Sequence, residues 1–392
     1  MADPVSGIDG PTAVGIGRYV DLTAKLASGK PATKVKWTYT EPKVGAKPQP
    51  LAVGPTVRYY APSKLRGAKL TIAARNGSTK AFEMALEIKD VVEKPPVAVV
   101  KCVLDEGWKP ENLHHCAKVG ESGPFLVGLR KPGNGRRGLE LNIQQAQFVF
   151  RPAEYAAHKH WAEIVACTTE CEGKSAFEAL NTYDRASFSF GLIQFGAHQY
   201  AENFHEYLLR AFAGFPTQAK HYFPELAVKG KDFFTTDEES DGEVQLTSKD
   251  DSSNKAFQRF IKPQIEKVTA SEVLFAARMI HWCRAEPGMR TLMVDMAVER
   301  AKRDMKAFSK KLDGMGIAVC TAVYDTRVQR RGNPNTSARI DKALDSKAPL
   351  DQLLLIYNNK REKARAEKLG REIKKRFGSS KLTYNQSTND FK

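Results

Sequence analysis

The sequence lacks several features that would assign a chain to a broad class at once. It has no apolar run long enough to span a bilayer, so no membrane-spanning segment is expected. None of its six cysteines stands in a Cys-x-x-Cys pair, so we expect no structural zinc site, and no motif points to another metal or to an organic cofactor. Helix-turn-helix, zinc-finger and aromatic-basic RNA-binding patterns are also missing, so no nucleic-acid partner is expected.

The N-terminal residues lack a secretory signal as well. Residues 1–15 have neither the basic start nor the apolar core of a signal peptide, which indicates a chain made in the cytoplasm. Free thiols are then favoured over disulfides. Six cysteines allow fifteen pairings, and the sequence does not decide among them. The simplest candidate disulfide joins Cys102 and Cys116, which flank a turn-rich segment.

What the chain does have is length and positive charge. A chain of 392 residues, 42% of them hydrophobic, predicts two or three domains with packed cores. Its 61 Lys and Arg against 45 Asp and Glu give a formal charge of +16. A basic surface attracts polyanions over a long range, and salt weakens that attraction. Arg130, Lys131, Arg136 and Arg137 make one basic patch, which as a pattern is more typical of a solvated loop.

The N-terminal part reads as β-structure. Apolar and polar residues alternate in four short segments, at 34–39, 56–60, 69–74 and 82–88. Asn76-Gly77 between the last two favours a tight hairpin turn, because both residue types tolerate positive φ. We therefore predict a small antiparallel β-sandwich over residues 1–92, which resembles bacterial immunoglobulin-like modules with Trp37 as the core aromatic. Such a module serves either for docking or as a spacer.

The rest of the chain divides into a connecting region and a helical region. Pro95-Pro96 stiffens a linker, and residues 93–150 show mixed signals, with a strand predicted at 97–103 and a loop at 132–138. Residues 151–392 are mainly helical by periodicity. The predicted helices span 153–169, 198–213, 255–285, 289–312 and 349–377, with an apolar run at 316–324. The acidic stretch 236–253 predicts a mobile loop, since its spacing fits no EF-hand.

Two carboxylates lie on either side of a polar segment near the middle of the chain. Glu170 ends an apolar helix, and Asp184 lies in the loop that follows. Glycosidic bond cleavage needs one protonated acid and one ionised partner at the same time. A carboxyl against apolar surface has its pKa raised, and one on a wetter loop stays ionised. We therefore predict Glu170 as a dry general acid and Asp184 as a wet base.

The same stretch resembles the lysozyme-like superfamily, in particular goose-type lysozymes and lytic transglycosylases. Those proteins carry a catalytic Glu at a helix end and a Gly-Leu-Met-Gln motif some twenty residues later. Here residues 191–194 read Gly-Leu-Ile-Gln and begin 21 residues after Glu170. The resemblance implies a mainly α lysozyme-like catalytic domain over 151–392, and Asp184 favours hydrolysis because transglycosylases generally lack that second carboxylate. Cys171 departs from the Ser that often follows the Glu.

A second segment resembles the glycosidase family 46 chitosanases of the same superfamily. Residues 323–329 read Val-Tyr-Asp-Thr-Arg-Val-Gln, similar to the Tyr-Asp-Thr-Ala-x-Gln-His-Gly segment of those enzymes, and residues 330–332 depart from it. The resemblance implies that Tyr324 and Asp325 lie near the substrate. Chitosan is polycationic, however, so the charge of +16 counts against a chitosanase.

Alternatives remain for each of these site residues. Glu172 and Glu178 are rival carboxylates, Glu178 being predicted on the outer side of a short helix. Gln194 either hydrogen-bonds a sugar or satisfies backbone groups. Arg185 is predicted to keep Asp184 ionised.

Taken together, these patterns predict an α+β multidomain glycoside hydrolase that cuts the β-1,4 bonds of peptidoglycan as a muramidase. Inversion with carboxyl groups roughly 6.5–9.5 Å apart is the expected mechanism. Without a signal peptide, the chain would reach the cell wall after export, injection or lysis, as a phage lysis protein or a delivered antibacterial toxin effector, which adds a delivery or immunity protein to its partners. The alternatives are a chitosanase-like glycosidase and a non-catalytic wall-binding protein.

Overall fold

The protein is a mixed α+β chain, with β-rich sheets in residues 1–245 followed by a mainly helical C-terminal region. The computed structural model describes residues 2–133, 135–142, 145–172, 175–200, 203–237, 242–329, 335–357 and 360–392. Within these ranges no helix combines the length and the apolar composition that crossing a bilayer requires.

The described strands are short, and most lie in the first half of the chain. They are β1 Val5–Asp9, β2 Ala13–Gly15, β3 Tyr19–Leu26, β4 Val35–Thr40, β5 Gln49–Val53, β6 Thr56–Tyr60, β7 Lys69–Asn76, β8 Phe82–Lys89, β9 Cys102–Leu104, β10 His114–Val119, β11 Phe125–Gly133, β12 Arg136–Leu141, β13 Leu180–Asn181, β14 Ser189–Phe190, β15 Phe195–Gly196, β16 Leu226–Lys229, β17 Asp232–Asp237, β18 Gly242–Gln245, β19 Tyr384–Asn385 and β20 Asp390–Phe391.

The described helices follow from residue 152 onward, apart from one 3₁₀ turn at Ser63–Leu65. They are a 3₁₀ segment Pro152–His158, α1 His160–Cys171, α2 Asn203–Gly214, α3 Pro216–Tyr222, α4 Lys255–Ile261, α5 Ala270–Ala285, α6 Pro287–Lys306, α7 Ser309–Leu312, α8 Ile317–Gln329, α9 Thr336–Leu344, α10 Pro349–Leu354 and α11 Lys360–Phe377.

The chain divides into two compact units, each made of three separate stretches. Unit 1 comprises Met1–Phe148, Glu178–Ser189 and Gly196–Glu286. Unit 2 comprises Val149–Phe177, Phe190–Phe195 and Pro287–Lys392. The predicted domain boundaries at residues 92 and 150 stay predictions.

The first two sheets of unit 1 share one buried core. One sheet has the strand order β2-β8-β7-β4-β5 and the other the order β1-β3-β6. Trp37 lies in the core, and its indole nitrogen donates to the carbonyl of Gly54 at 2.9 Å. The Asn76-Gly77 turn joins the antiparallel pair β7 and β8, with Gly77 at φ 59°. The four predicted strands and the core aromatic are confirmed, and a turn lies where it was predicted. The turn is longer than a tight Asn-Gly hairpin, because Ala74 and Phe82 are the last paired residues and only Gly77 of the two turn residues has a positive φ. The parallel pairing of β2 with β8 departs from the antiparallel prediction.

The next sheet of unit 1 corrects the predictions for residues 93–150. Strands β9 to β13 pair in sequential order, and α5 packs against β9, β10 and β11. The strand predicted over 97–103 is wrong before residue 102, because Val97 and Val99 are exposed and have no apolar face to bury. The loop predicted over 132–138 is the end of a hairpin in which Gly133 pairs with Arg136. Asn134 lies outside the described residues.

The cysteines form no disulfide. All six are free, so the pairing of Cys102 with Cys116 is wrong. The β9–β10 register aligns Cys102 with Val119, three residues from Cys116. Burial raises the pKa of the Cys102 thiol to about 11 and that of the Cys116 thiol to about 12, so both thiols stay protonated at neutral pH.

Helices occur where they were predicted, but several of them are shorter than predicted or are divided in two. The helix predicted over 255–285 is two helices, because Pro263 disfavours helical geometry at Lys262, which adopts φ −133° and ψ 85°. The helix over 153–169 is a 3₁₀ segment and α1, separated at Lys159, whose φ is 50°. The apolar run 316–324 lies in the largely buried α8, as predicted.

The acidic loop predicted over 236–253 is wrong where β17 and β18 occupy it. The acidic residues at 238–241 and the departure from the chitosanase pattern at 330–332 lie outside the described residues.

Candidate functional site

Glu170 lies at the C-terminal end of α1 in unit 2. Most of this helix is buried, including Trp161, Ile164, Val165 and Thr168. The helix ends at Cys171, since Glu172 leaves the helical region with φ −88° and ψ −96°. Helix α1 packs against α6, α8 and α11, which fixes the base of the Glu170 side chain. The Glu170 side chain itself is 31% exposed.

Two neighbours hold the Glu170 carboxyl group. The Ser175 hydroxyl donates to Oε1 at 3.0 Å, and Ser175 is almost fully buried with φ 64°. The Lys368 ammonium lies 3.7 Å from Oε2 and also donates to the Glu170 backbone carbonyl. Neither neighbour was predicted from the sequence. Ser175 offered only its closeness in sequence, and Lys368 is one of several cations on α11.

The Gly-Leu-Ile-Gln segment forms a tight turn in the same unit. Gly191 adopts φ 82°, a conformation that favours glycine, and a β-carbon there would also lie 2.7 Å from the sulfur of Met293, whose flexible side chain would have to shift. Leu192 and Ile193 are buried beneath the turn. Gln194, at φ 53°, donates through Nε2 to the Gly191 carbonyl at 3.2 Å. The side-chain amide therefore satisfies backbone, and its contact with a sugar stays a prediction.

Asp184 lies in unit 1, where it organises the turn that follows it. Its Oδ1 accepts from the Ala186 amide at 2.8 Å, and its Oδ2 accepts from the Ser189 hydroxyl at 3.5 Å. Arg136 donates to the Asp184 backbone carbonyl at 3.0 Å. Burial raises the pKa of the Asp184 carboxyl, against the lowering effect of its hydrogen bonds and of nearby cations.

The predicted contrast between a dry Glu170 and a wet Asp184 is not seen. The Glu170 side chain is about one-third exposed, and Asp184 is also partly exposed, although burial raises the pKa of its carboxyl. Arg185 is exposed, and its role in keeping Asp184 ionised stays a prediction. Because Glu170 belongs to unit 2 and Asp184 to unit 1, the carboxyl separation of roughly 6.5–9.5 Å also stays a prediction.

The rival carboxylates have structural contacts. Glu178 is fully buried, so its predicted place on the outer side of a helix is wrong. It accepts from the Gln147 amide at 2.7 Å, the Phe148 amide at 3.2 Å and the Arg284 guanidinium at 3.2 Å. Glu172 is half-buried, with an oxygen 3.7 Å from the Arg365 guanidinium.

Tyr324 and Asp325 are buried in α8 of unit 2. Asp325 accepts from the Tyr357 hydroxyl at 2.5 Å and from the Arg365 guanidinium at 2.7 Å. The Tyr324 hydroxyl donates to the Ala297 carbonyl at 3.4 Å. These contacts join α8 to its neighbours in unit 2, and a substrate contact by either residue stays a prediction.

Across the described part of the chain, no three His, Cys, Asp or Glu side chains are grouped as they would be around an ion. Each unit therefore carries its own candidate group: Glu170 with Ser175 and Lys368 in unit 2, and Asp184 with Arg136 in unit 1. Comparison of the chain with protein-family models and with curated proteins finds no match.

Proposed function

We propose that the protein is a peptidoglycan glycan-strand hydrolase of the muramidase type. In this proposal residues 151–392 carry a lysozyme-like catalytic domain, and residues 1–92 an immunoglobulin-like β-sandwich. The observation that carries it is Glu170: a partly exposed carboxyl at the end of a buried helix, steadied by Ser175 and sharing its unit with the Gly191–Gln194 turn. A rigid support and an accessible oxygen are what a general acid needs.

The proposed reaction assigns different work to the two carboxylates. Glu170 donates a proton to the glycosidic oxygen as the bond to the anomeric carbon breaks. Asp184 takes a proton from the water whose oxygen forms the new bond to that carbon. Burial raises the pKa of Asp184, which makes it a stronger proton acceptor once it is ionised but also holds a proton on it to higher pH. The assignment of acid and base in this proposal therefore rests on the order of the motif and not on the two environments. Inversion at the anomeric carbon is the expected outcome.

Charge favours the bacterial wall over chitosan as the substrate. The chain carries +16, and peptidoglycan stems bear carboxylates, whereas chitosan is a polycation. The same charge fits a protein that acts on the anionic envelope after export, injection or lysis. A delivery or immunity protein is then a further proposed partner.

The test is digestion of purified sacculi by the full chain and its variants, with mass analysis of the fragments. We expect reducing muramic acid ends, and a loss of roughly 10²- to 10⁴-fold in the rate of Glu170→Gln. Glu172→Gln is the matched control, two residues away and half-buried, and it should retain activity.

Each of the other possible results of this digestion would indicate a different mechanism, substrate or function. Unchanged lysis by Glu170→Gln would remove Glu170 from the mechanism. Anhydro-sugar ends would mean transglycosylation, and sugar release from chitosan but not from sacculi would mean a chitosanase. Binding to sacculi without fragment release would mean a non-catalytic wall protein.

A further inference from the structure

A cavity of about 360 Å³ opens in unit 1 next to the turn that Asp184 organises. Arg136 and Ser187 line one side of it, and Lys255 and Arg259 of α4 line another. Gln258 and residues 262–266 complete the wall. None of these residues was assigned a part in the proposed hydrolysis, apart from the contact of Arg136 with the Asp184 backbone.

The charge of the cavity is unbalanced once its internal ion pair is set aside. Lys262 pairs with Glu272 at 2.8 Å, and neither side chain is exposed, so the two charges cancel within the fold. The remaining cations of the wall are Arg136, Lys255 and Arg259, against one exposed carboxylate, Glu266. Asp251, just before α4, accepts from the Lys255 amide and offsets part of this charge, which leaves an excess of one cation. Lys255 and Arg259 stand four residues apart on α4, where like charges repel each other unless an anion lies between them.

Arg136 is held in a fixed position at the cavity. Its Nη1 donates to the Asp184 carbonyl at 3.0 Å and to the Ser187 hydroxyl at 3.5 Å. Ser187 is buried and adopts φ 58°, a conformation that costs free energy in a residue other than glycine. A guanidinium has five N–H donors in a planar fork, and these two bonds use one nitrogen, which leaves donors suited to a carboxylate.

The wall also has an apolar part. Pro263 and Ile265 are exposed there, beside the amide of Gln264. A ligand that matches all of these groups carries a carboxylate, an amide and a short aliphatic side chain. That combination is a short acidic peptide rather than a bare sugar or a bare phosphate.

We infer that this cavity binds a carboxylate of the peptide stem on the glycan strand. The inference rests on the proposed function, since Arg136 joins the cavity to the turn of Asp184, the proposed base. The stem would then fix the strand on unit 1 by charge-assisted hydrogen bonds, and cells that amidate their stem carboxylates would offer a poorer ligand.

The test measures binding to the full chain carrying Glu170→Gln, so that no ligand is consumed. The probes are soluble glycan oligomers with intact stems, oligomers with amidated stems, and oligomers stripped of stems by an amidase. We expect Arg136→Gln to weaken binding of the intact-stem oligomer by about tenfold or more, with little change for the stripped one. Arg137→Gln is the matched control, an exposed neighbour whose side chain points to the other face of β12.

A second variant guards against an indirect effect of Arg136 on the Asp184 turn. Arg259→Gln lies on α4 and is exposed, and it should also weaken binding of the intact-stem oligomer selectively. Equal affinities of all variants for that oligomer would overturn the inference, as would equal losses for intact and stripped oligomers. Displacement by inorganic phosphate, together with indifference to amidation, would assign the cavity to a phosphate polymer and also overturn it. A different result would contradict the proposed function but not this inference: the wild-type chain would leave sacculi undigested, while binding would still depend on the peptide stem.

Discussion

Ser175 donates its hydroxyl to Oε1 of Glu170 at 3.0 Å while its own oxygen lies 3.0 Å from the Thr169 hydroxyl. Ser175 is buried, and its amide donates to the Thr169 carbonyl at 3.1 Å, so the hydroxyl is fixed from both sides. A partly exposed glutamate on a helix end would otherwise sample several rotamers. This contact therefore restricts Glu170 to one direction.

The first prediction concerns that contact. Ser175→Ala should lower kcat for wall hydrolysis by roughly 3- to 30-fold, with little change in KM, because it misplaces the acid without touching the bound strand. Ser175→Gly removes the same hydroxyl but relaxes the positive φ, so it should show the same loss of kcat with less loss of stability. Steady-state kinetics on soluble oligomers measures both. Full activity of the two variants would show that the hydroxyl does not position Glu170.

The second prediction concerns Asp184. Burial raises its pKa in the folded protein above the value in the unfolded chain, so the folded state binds more protons between the two values. Its contribution to the free energy of unfolding therefore falls as the pH rises through that window, and at neutral pH the buried charge destabilises the fold.

Asp184→Asn should consequently abolish hydrolysis without lowering stability at pH 7, since its amide oxygen still accepts from Ala186. Urea unfolding at pH 3.5 and at pH 7 checks this: the stability of the variant relative to wild type should increase with pH. A variant that loses stability at pH 7 would show that the carboxylate is stabilising there.

Local patterns allowed the local parts of the fold to be predicted. The apolar residues of α1 indicated a buried helix, although the structure buries it on more than the one predicted face. The turn after β7 follows from the positive φ that Gly77 tolerates. Trp37 was predicted as the core aromatic from the resemblance to immunoglobulin-like modules, and it is buried in the core. Each of these signals lies within a few residues of the feature that it predicts.

The environments of the site residues could not be predicted in this way. The Lys368 ammonium reaches Glu170 from 198 residues further along the chain, and Arg136 reaches Asp184 from 48 residues before it. The burial of Asp184 depends on such distant neighbours. The position of a carboxylate at a helix end or in a loop therefore did not indicate how far it is exposed to solvent. Glu178 shows the same limit, because the Arg284 that pairs with it lies 106 residues away.

The third prediction concerns His115, which is buried in β10. Its Nδ1 accepts from the Trp108 indole at 2.8 Å, which leaves the ring neutral, and burial lowers its pKa to about 4. An unfolded histidine titrates near 6.5, so this group stabilises the fold fully above that pH, and the stability is lost as the pH falls from about 6.5 towards 4. The loss at pH 4 is on the order of 3 kcal/mol.

His115→Gln removes the titration while its amide oxygen still faces the Trp108 donor. Chemical unfolding of both proteins at pH 7 and at pH 4.5 measures the effect. We expect the variant to lose less stability than wild type over that interval. Parallel losses would mean that other groups account for the acid sensitivity.

The fourth prediction concerns the ion pair between Lys262 and Glu272, whose side chains are both 0% exposed. Burial lowers the pKa of Lys262 and raises the pKa of Glu272, so each charge persists only because the other is 2.8 Å away. Glu272 also accepts from the Thr182 hydroxyl and completes the capping box of α5 with Thr269. Removing one partner leaves the other desolvated and alone.

Lys262→Met and Glu272→Gln should each destabilise the protein by about 3–5 kcal/mol, and the double variant by less than the sum of the two. The matched control is the exposed pair of Lys229 and Glu243, with side chains 61% and 37% exposed, where Lys229→Met should cost about 0–1 kcal/mol. Urea unfolding of the full double-mutant cycle measures the coupling. Additive losses at Lys262 and Glu272 would mean that the charges do not depend on each other, and Lys262 would then have to be counted among the free cations of the cavity that it lines.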